Sequence, residues 1–182
     1  MPNDQQLILR FLSKRNESAF KTLYQLHTPR LYAIALRISN NSSDAEELIQ
    51  QMWLIAIQKL SDFEGRSSFR TWLTGILINL NRDRYRHEYK HTEMEEFAEY
   101  EAHSIDQITV SSIDVENAIK HLPVGYRQIL ILHDVEGYKH REIAALLNIS
   151  EGTSKSQLYH ARKAMRQYFY ETPQTEEHDK NE

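Results

Sequence analysis

The stretch from His140 to Met165, HREIAALLNISEGTSKSQLYHARKAM, holds two segments of helical apolar period that meet at the corner Asn148-Ile149-Ser150. Two amphipathic helices with so short a connection fold back on each other in the helix-turn-helix form. On a wheel of about 100 degrees per residue, Leu158, Ala161, Met165 and Tyr168 form one stripe that needs a core to cover it. Ser150 precedes that helix as an N-cap hydroxyl. Gly152, Ser156, Tyr159, His160 and Lys163 lie on the opposite side, while Lys155, Arg162 and Arg166 run down one flank. A small residue at the helix entry lets backbone approach closely, and the cations suit phosphates on either side of a major groove. From the charges alone, a solvated helix face is the default reading. The preceding helix from Arg141 to Leu147 and the short corner shift the balance to duplex DNA.

Overall charge argues the other way, since 22 Lys and Arg against 26 Asp and Glu leave a net charge of -4. The sum hides segregation. Arg66 to His91 carries six cations and two anions, and Ser150 to Tyr170 carries four cations with Glu151 as the sole acid. Between them, Thr92 to Glu116 holds eight acids and no Lys or Arg, and the tail from Glu171 is again acidic. Two basic surfaces separated by an acidic strap are a statement about partners, not about fold.

With 182 residues, 40% of them hydrophobic, the chain can bury one medium core or two small ones. Five Gly, four Pro and no long alternating Val/Ile/Thr run predict an all-α fold. The expected division is a helical bundle over 1–91, a flexible acidic linker over 92–112, a helix-turn-helix domain over 113–170 and an acidic tail over 171–182. The absence of cysteine excludes disulfides and Cys-ligated zinc. No apolar run approaches the roughly 20 residues that span a bilayer, and no signal peptide opens the chain, so a cytoplasmic protein without membrane insertion is expected.

Within the first half, a helix from Asp4 to Lys14 turns Leu7, Ile8, Phe11 and Leu12 to one side, and a second follows Asn16 and stops near Thr28. Pro29 suits the first turn of a third, with Leu31, Ala35 and Ile38 on one face. The next helix opens on Ser43-Asp44-Ala45-Glu46, a capping-box pattern, and buries Ala45, Leu48, Ile49, Met52, Ala56 and Leu60. Its outer face carries Glu46, Glu47, Gln50, Gln51, Leu54 and Gln58, which fits either a solvated surface or a protein-docking one. Ser68 caps a long helix from Phe69 to about Tyr89 whose Phe69, Leu73, Ile76 and Leu80 point inward. Opposite lie Thr74, Ile78, Asn81, Arg82, Tyr85 and Tyr89. An exposed row of aromatic, amide and cationic groups there would suit single-stranded nucleic acid, the aromatics stacking on bases and the arginines holding backbone. Packing of the tyrosines on a neighbouring helix is the equal alternative.

The runs DAEELIQQMWLIAIQKL, FEGRSSFRTWLTGILINLNRDRYRH and LPVGYRQILILHDVEGYKHREIAALLNISEGTSKSQLYHARKAM, in that order, resemble the extracytoplasmic-function sigma factors of bacterial RNA polymerase. The resemblance covers about Ser18 to Tyr170. It implies that Asp44, Glu47, Gln50, Gln51 and Leu54 dock on the clamp helices of the beta-prime subunit. It implies that Phe63, Arg66, Ser67, Ser68, Arg70, Trp72, Asn79, Arg82, Arg84 and Tyr85 recognise and open the minus-10 element, with Phe69 and Trp72 serving structure as well. The minus-35 duplex then falls to Gly152, Thr153, Lys155, Ser156, Gln157, Tyr159, His160, Arg162, Lys163 and Arg166, in a domain that rests on the beta flap. An anti-sigma factor is the implied inhibitor.

Departures from the family pattern locate what is particular to this chain. Gln51 stands where an acid is usual, and Gly75 and Ile78 where arginines are common. A helix-interior Gly costs about 1 kcal/mol relative to Ala. Melting contacts are therefore expected to be weaker or differently distributed, and Ser154 and Gln157, in a run usually written GTVKSR, are expected to alter minus-35 preference. Chemistry is not expected of this chain: it has no phosphate loop, nucleophile elbow or carboxylate pair, and no cofactor or metal is implied. His87 and His91 have metal-ligand spacing without a further ligand, and His133-Asp134 reads as a helix end, where His133 faces the helix dipole. The competing function is a free-standing helix-turn-helix regulator whose first half senses or dimerises.

Overall fold

Helix is the outcome throughout the computed structural model, which describes residues 3–88 and 112–171, and no strand occurs among them. The acidic linker apart from Ser112, the tail beyond Glu171, Tyr89 and His91 lie outside the described residues, as does the side chain of His87, so the expected His87/His91 pair does too.

Helix α1, Asp4–Lys14, is capped by the Asn3 side chain, which accepts from the Gln5 amide, and buries Leu7 and Ile8 while Leu12 stays exposed. Helix α2, Glu17–Ser39, is capped by Asn16 and runs straight through Pro29, so the expected break at Thr28 does not occur. Proline removes one amide donor and crowds the preceding turn. Here the carbonyl deprived of its partner belongs to Gln25, and both Gln25 and Pro29 are exposed, where water can serve it. On the other side a continuous stripe of Leu23, His27, Leu31, Ile34, Ala35 and Ile38 is buried, and that burial holds the helix together across the proline.

Helix α3, Ser42–Gln58, begins one residue before the expected capping box. Asn41 is its cap, accepting from the Asp44 amide at 2.7 Å, because Asn41 is already extended at φ -147°. Its expected stripe is buried, and Trp53 joins it with the indole N–H donating to Thr28 Oγ1 at 3.0 Å. A 3-10 turn, Leu60–Asp62, leads to a loop that ends at Ser68, whose hydroxyl accepts from the Thr71 amide and caps helix α4, Phe69–Glu88. Phe69 and Leu73 are buried as expected, together with Leu77, while Ile76 and Leu80 are partly covered.

The second bundle comprises α5, Ser112–His121, α6, Val124–Leu130, a π-helical turn at Ile131–Val135, α7, His140–Leu147, and α8, Glu151–Glu171. Asn148, in the left-handed conformation at φ 54°, ends α7, and the Ser150 hydroxyl accepts from the Thr153 amide to start α8. That is the expected corner. Leu158 and Ala161 pack inward against α6 and α7, with Met165 and Tyr168 half-buried beyond them.

The two bundles pack on each other: α4 meets α7, and α2 meets α5, α6 and the π-helical turn. This packing corrects the expected exposed row on α4, because Thr74, Ile78 and Asn81 have no exposed surface at all. Thr74 meets Tyr138 of the second bundle there, whose hydroxyl donates to it at 3.1 Å.

Candidate nucleic-acid interface

The α8 surface stands open. Gly152, Thr153, Lys155, Ser156, Tyr159, His160, Arg162 and Arg166 are exposed and Lys163 is half-buried, so the expected DNA-facing residues share one accessible side of the helix. Ser154, by contrast, is fully buried, and its hydroxyl is satisfied by His140 Nδ1 at 2.9 Å. A polar residue at the head of the apolar stripe is tolerated for that reason. Gln157 turns sideways into a cleft between the bundles, lined also by Arg82, Tyr85, Val124, Leu147 and Ile149.

Arg162 is already committed. Its Nε and Nη2 donate to the two carboxylate oxygens of Asp134 at 2.9 and 2.6 Å, a planar fork that fixes the guanidinium beside the recognition helix. Partial burial alone would raise the Asp134 pKa, but hydrogen bonds from Arg162 and His133 outweigh it and hold the carboxyl below its ordinary value, while Arg162 is raised by the same bond. His133 also stacks on His140 with centroids 4.6 Å apart, and burial, followed by the field of His133, lowers the His140 pKa. Sequence reasoning missed this Asp134-His133-His140 support, whose members are distant from α8 in the chain.

In the first bundle, Phe63 packs on Phe69 at 5.3 Å and on Trp72 at 5.4 Å, and Trp72 stacks on Phe69 with an interplanar angle of 23°. Phe69 is buried, whereas Phe63 and Trp72 keep part of their rings at the surface. Arg66, Ser67 and Ser68 are exposed beside them and Arg70 is half-buried, giving an aromatic floor with a cationic, hydroxyl-bearing rim. Such a surface can stack an unpaired base and hold its phosphates. Asn79 is exposed farther along α4. The remaining expected members are engaged within the protein: Arg82 donates to the Leu147 carbonyl at 3.1 Å, Tyr85 lines the inter-bundle cleft, and Arg84 donates to Asp44 at 2.7 Å and Glu47 at 3.0 Å.

That last contact ties α4 to the α3 outer face. There Glu47 also accepts from Gln51 Nε2 at 2.9 Å, Gln50 is exposed and Leu54 is 63% exposed. An acid at position 51 would sit one turn from Glu47 and repel it, so the amide suits this local network. An exposed leucine ringed by acids and amides can receive apolar and basic groups of a partner. No cluster of three or more potential metal ligands is found among the described residues.

Residues 23–91 match the family model described as sigma-70 region 2, and residues 112–165 match the one described as sigma-70, region 4. Together the two matches cover more than half of the chain, which therefore belongs to the sigma-70 family of sigma factors, and its ECF RNA polymerase sigma factor relatives place it in the extracytoplasmic-function class. It is 30% identical over 155 residues to the ECF RNA polymerase sigma factor SigE of Mycolicibacterium smegmatis, an alignment covering 80% of this chain and 60% of that one. SigW of Bacillus subtilis is 27% identical over 170 residues, covering 85% of this chain and 91% of the relative. Among solved structures, the sigma factor RpoE of Bartonella quintana, in complex with the anti-sigma factor NepR, superposes with a TM-score of 0.62 at 27% identity, covering 83% of this chain and 96% of that one.

Proposed function

We propose that the chain is an alternative sigma factor that binds core RNA polymerase, reads a minus-35 element as duplex and engages a minus-10 element as an opened strand. The observation that carries this reading is the pairing, on one chain, of an open recognition face on α8 with a region 2 bundle that presents both an aromatic-cationic floor and the α3 outer face. A regulator working through its helix-turn-helix alone has no use for the second pair of surfaces.

In this reading Gly152, Thr153, Lys155, Ser156, Tyr159, His160, Lys163 and Arg166 meet the minus-35 duplex, with Arg162 held in place by Asp134. Gln157 reaches DNA only once it leaves the cleft. Phe63, Arg66, Ser67, Ser68, Arg70 and Trp72 receive the minus-10 strand, and Asn79, Arg82, Arg84 and Tyr85 extend that path along α4. Asp44, Glu47, Gln50, Gln51 and Leu54 dock on the beta-prime clamp helices, and the second bundle rests on the beta flap. The working division is 1–91, 92–112, 113–170 and 171–182.

The chain carries specificity while catalysis belongs to the polymerase core, and it needs no cofactor of its own. No described helix is long and apolar enough to cross a membrane, and the proposed place of action is the cytoplasm, where the polymerase is. Because the Bartonella relative is held by an anti-sigma factor, an inhibitor of that kind is proposed here as well. Run-off transcription with purified core polymerase tests the reading. Initiation at promoters that carry both elements, dependent on added protein, supports it; no association with core and no initiation on any template would overturn it.

A further inference from the structure

We propose that Gln5 of α1 is a further specificity-determining residue, which reads the edge of an unpaired minus-10 base beside the Phe63-Trp72 floor, and that Asp4 positions it. The inference rests on the assignment of that floor to the opened strand.

Helix α1 precedes the residues matched as sigma-70 region 2, yet it packs on α2 and on the 3-10 turn that leads into the loop before α4. Leu7 and Ile8 are buried and anchor it there. At its start, two neighbouring side chains take different tasks. His27 Nε2 lies 3.1 Å from Asp4 Oδ1, and an ionised carboxylate only accepts, so the ring donates. The same His27 ring, in a residue only 7% exposed, meets Phe69 edge to face with centroids 5.3 Å apart and an interplanar angle of 80°. Asp4 is thereby tied, through one buried ring, to the aromatic residue on which Phe63 and Trp72 pack. Edge-to-face contacts restrict how both rings turn. The start of α1 and the floor therefore keep a fixed register.

Gln5 is exposed, and its side-chain amide has no hydrogen-bond partner among the described residues. It lies over the loop at Gly65. A Cβ there would come within 3.0 Å of Gln5 Nε2, and Gly65 is left-handed at φ 72°, a conformation costly for any residue that carries a Cβ. The loop thus turns at Gly65 and leaves open the space beside which the amide stands. Arg66, Ser67 and Ser68 follow on the exposed rim, and Phe63 precedes by two places.

The group this amide suits is a base, not a phosphate. A glutamine amide offers a donor and an acceptor side by side, a pattern that pairs with a base edge presenting their complements. One acid, Asp4, precedes Gln5 in the chain, and another, Glu64, precedes Gly65 and is ion-paired with Arg66. Negative charge on both strands of the contact opposes a phosphate at this point. A base stacked face-on to an aromatic floor keeps its hydrogen-bonding edge free for a neighbouring polar group.

Run-off transcription with core polymerase, on templates that carry each base in turn at each minus-10 position, measures the preference. Gln5→Ala should flatten it at one position, on the order of tenfold, as expected when a paired amide contact is lost. Other positions, minus-35 duplex binding and the thermal midpoint should match the parent, because the side chain is exposed. Asp4→Ala should weaken the same preference, and Asp4→Asn, which keeps an oxygen to accept from His27, should restore it. A preference intact in Asp4→Ala would remove the positioning role. An unchanged preference in Gln5→Ala, or an equal loss on every template, would overturn the proposal. Trp72→Ala on the same templates separates it from the assignment beneath it. If Trp72→Ala blocks initiation while Gln5→Ala changes nothing, only the role of Gln5 fails. If Trp72→Ala initiates like the parent, the floor assignment fails, and the role of Gln5 fails with it.

Discussion

At the scale of single residues, the recognition helix contains two kinds of cation. Lys155 is exposed and has no hydrogen-bonding or ion-pair partner among the described residues, whereas Arg162 is held by the Asp134 carboxylate. Lys155→Glu should therefore weaken binding to minus-35 duplex at all sequences and reduce the salt slope by about one, as expected for loss of a phosphate contact. An unchanged slope in a salt titration would mean that DNA meets another side of α8. Arg162→Ala should act differently, loosening the second bundle as well, since it leaves Asp134 with His133 alone. The same cluster imposes a pH dependence. His140 titrates below its ordinary value of 6.5, so the unfolded chain takes up that proton more readily than the folded one. Its contribution to stability is fully present above about pH 6.5 and is lost as pH falls from there toward the lower folded value. Asp134, also lowered, contributes above its unfolded value of 3.8 and loses that contribution only in stronger acid, as pH falls through its folded value. Thermal unfolding should show a midpoint that drops between about pH 7 and about pH 5.5, and His140→Gln should flatten that drop. A parent midpoint independent of pH across that interval would contradict the coupling.

At the scale of elements, most of the fold was legible because it follows local periods. The stripes Ala45-Leu48-Ile49-Met52-Ala56 on α3 and Leu158-Ala161 on α8 are readable from a 3.6-residue repeat, and the Ser68 and Ser150 caps from residue type. Pro29 misled because propensity is a local rule and the buried stripe of α2 is a tertiary fact. Proline in a helix interior disfavours the helix by about 3 kcal/mol relative to Ala, part of which is relieved by its exposed position. Pro29→Ala should accordingly raise stability by about 1–2 kcal/mol, a shift of several degrees in the calorimetric midpoint. No shift would show that α2 is not continuous at that point. Leu77, missed in favour of Ile76, is fully buried. Leu77→Ala should cost about 2–5 kcal/mol in denaturant unfolding.

At the scale of the whole molecule, the residues that sequence could not place are those whose surroundings come from the other bundle or another helix. Thr74, Ile78 and Asn81 are fully buried where the helix read alone would expose them, and Thr74 is met by Tyr138, 64 positions away. Arg84 reads as one more cation on a basic helix until α3 brings Asp44 and Glu47 to it. Gly75 and Ile78, which looked like lost melting contacts, are filled by packing instead: Leu146 sits where a side chain at Gly75 would stand, and Ile78 is fully buried. The candidate duplex surface was legible since one helix carries all of it; the strand surface was only half legible, because Phe63, Arg66 and Trp72 are open while Arg82 and Tyr85 are turned to the second bundle. The central claim is that one chain grips a promoter at two points, as duplex through α8 and as opened strand through the Phe63-Trp72 floor and α4. Permanganate reactivity of minus-10 thymines, measured with core polymerase and compared with binding of isolated minus-35 duplex, tests it most directly. The expected result is reactivity that needs both core and this chain and that Trp72→Ala or Tyr85→Ala strongly reduces while leaving duplex binding unchanged. Undiminished reactivity in both variants, or equal loss of opening and duplex binding, would contradict it.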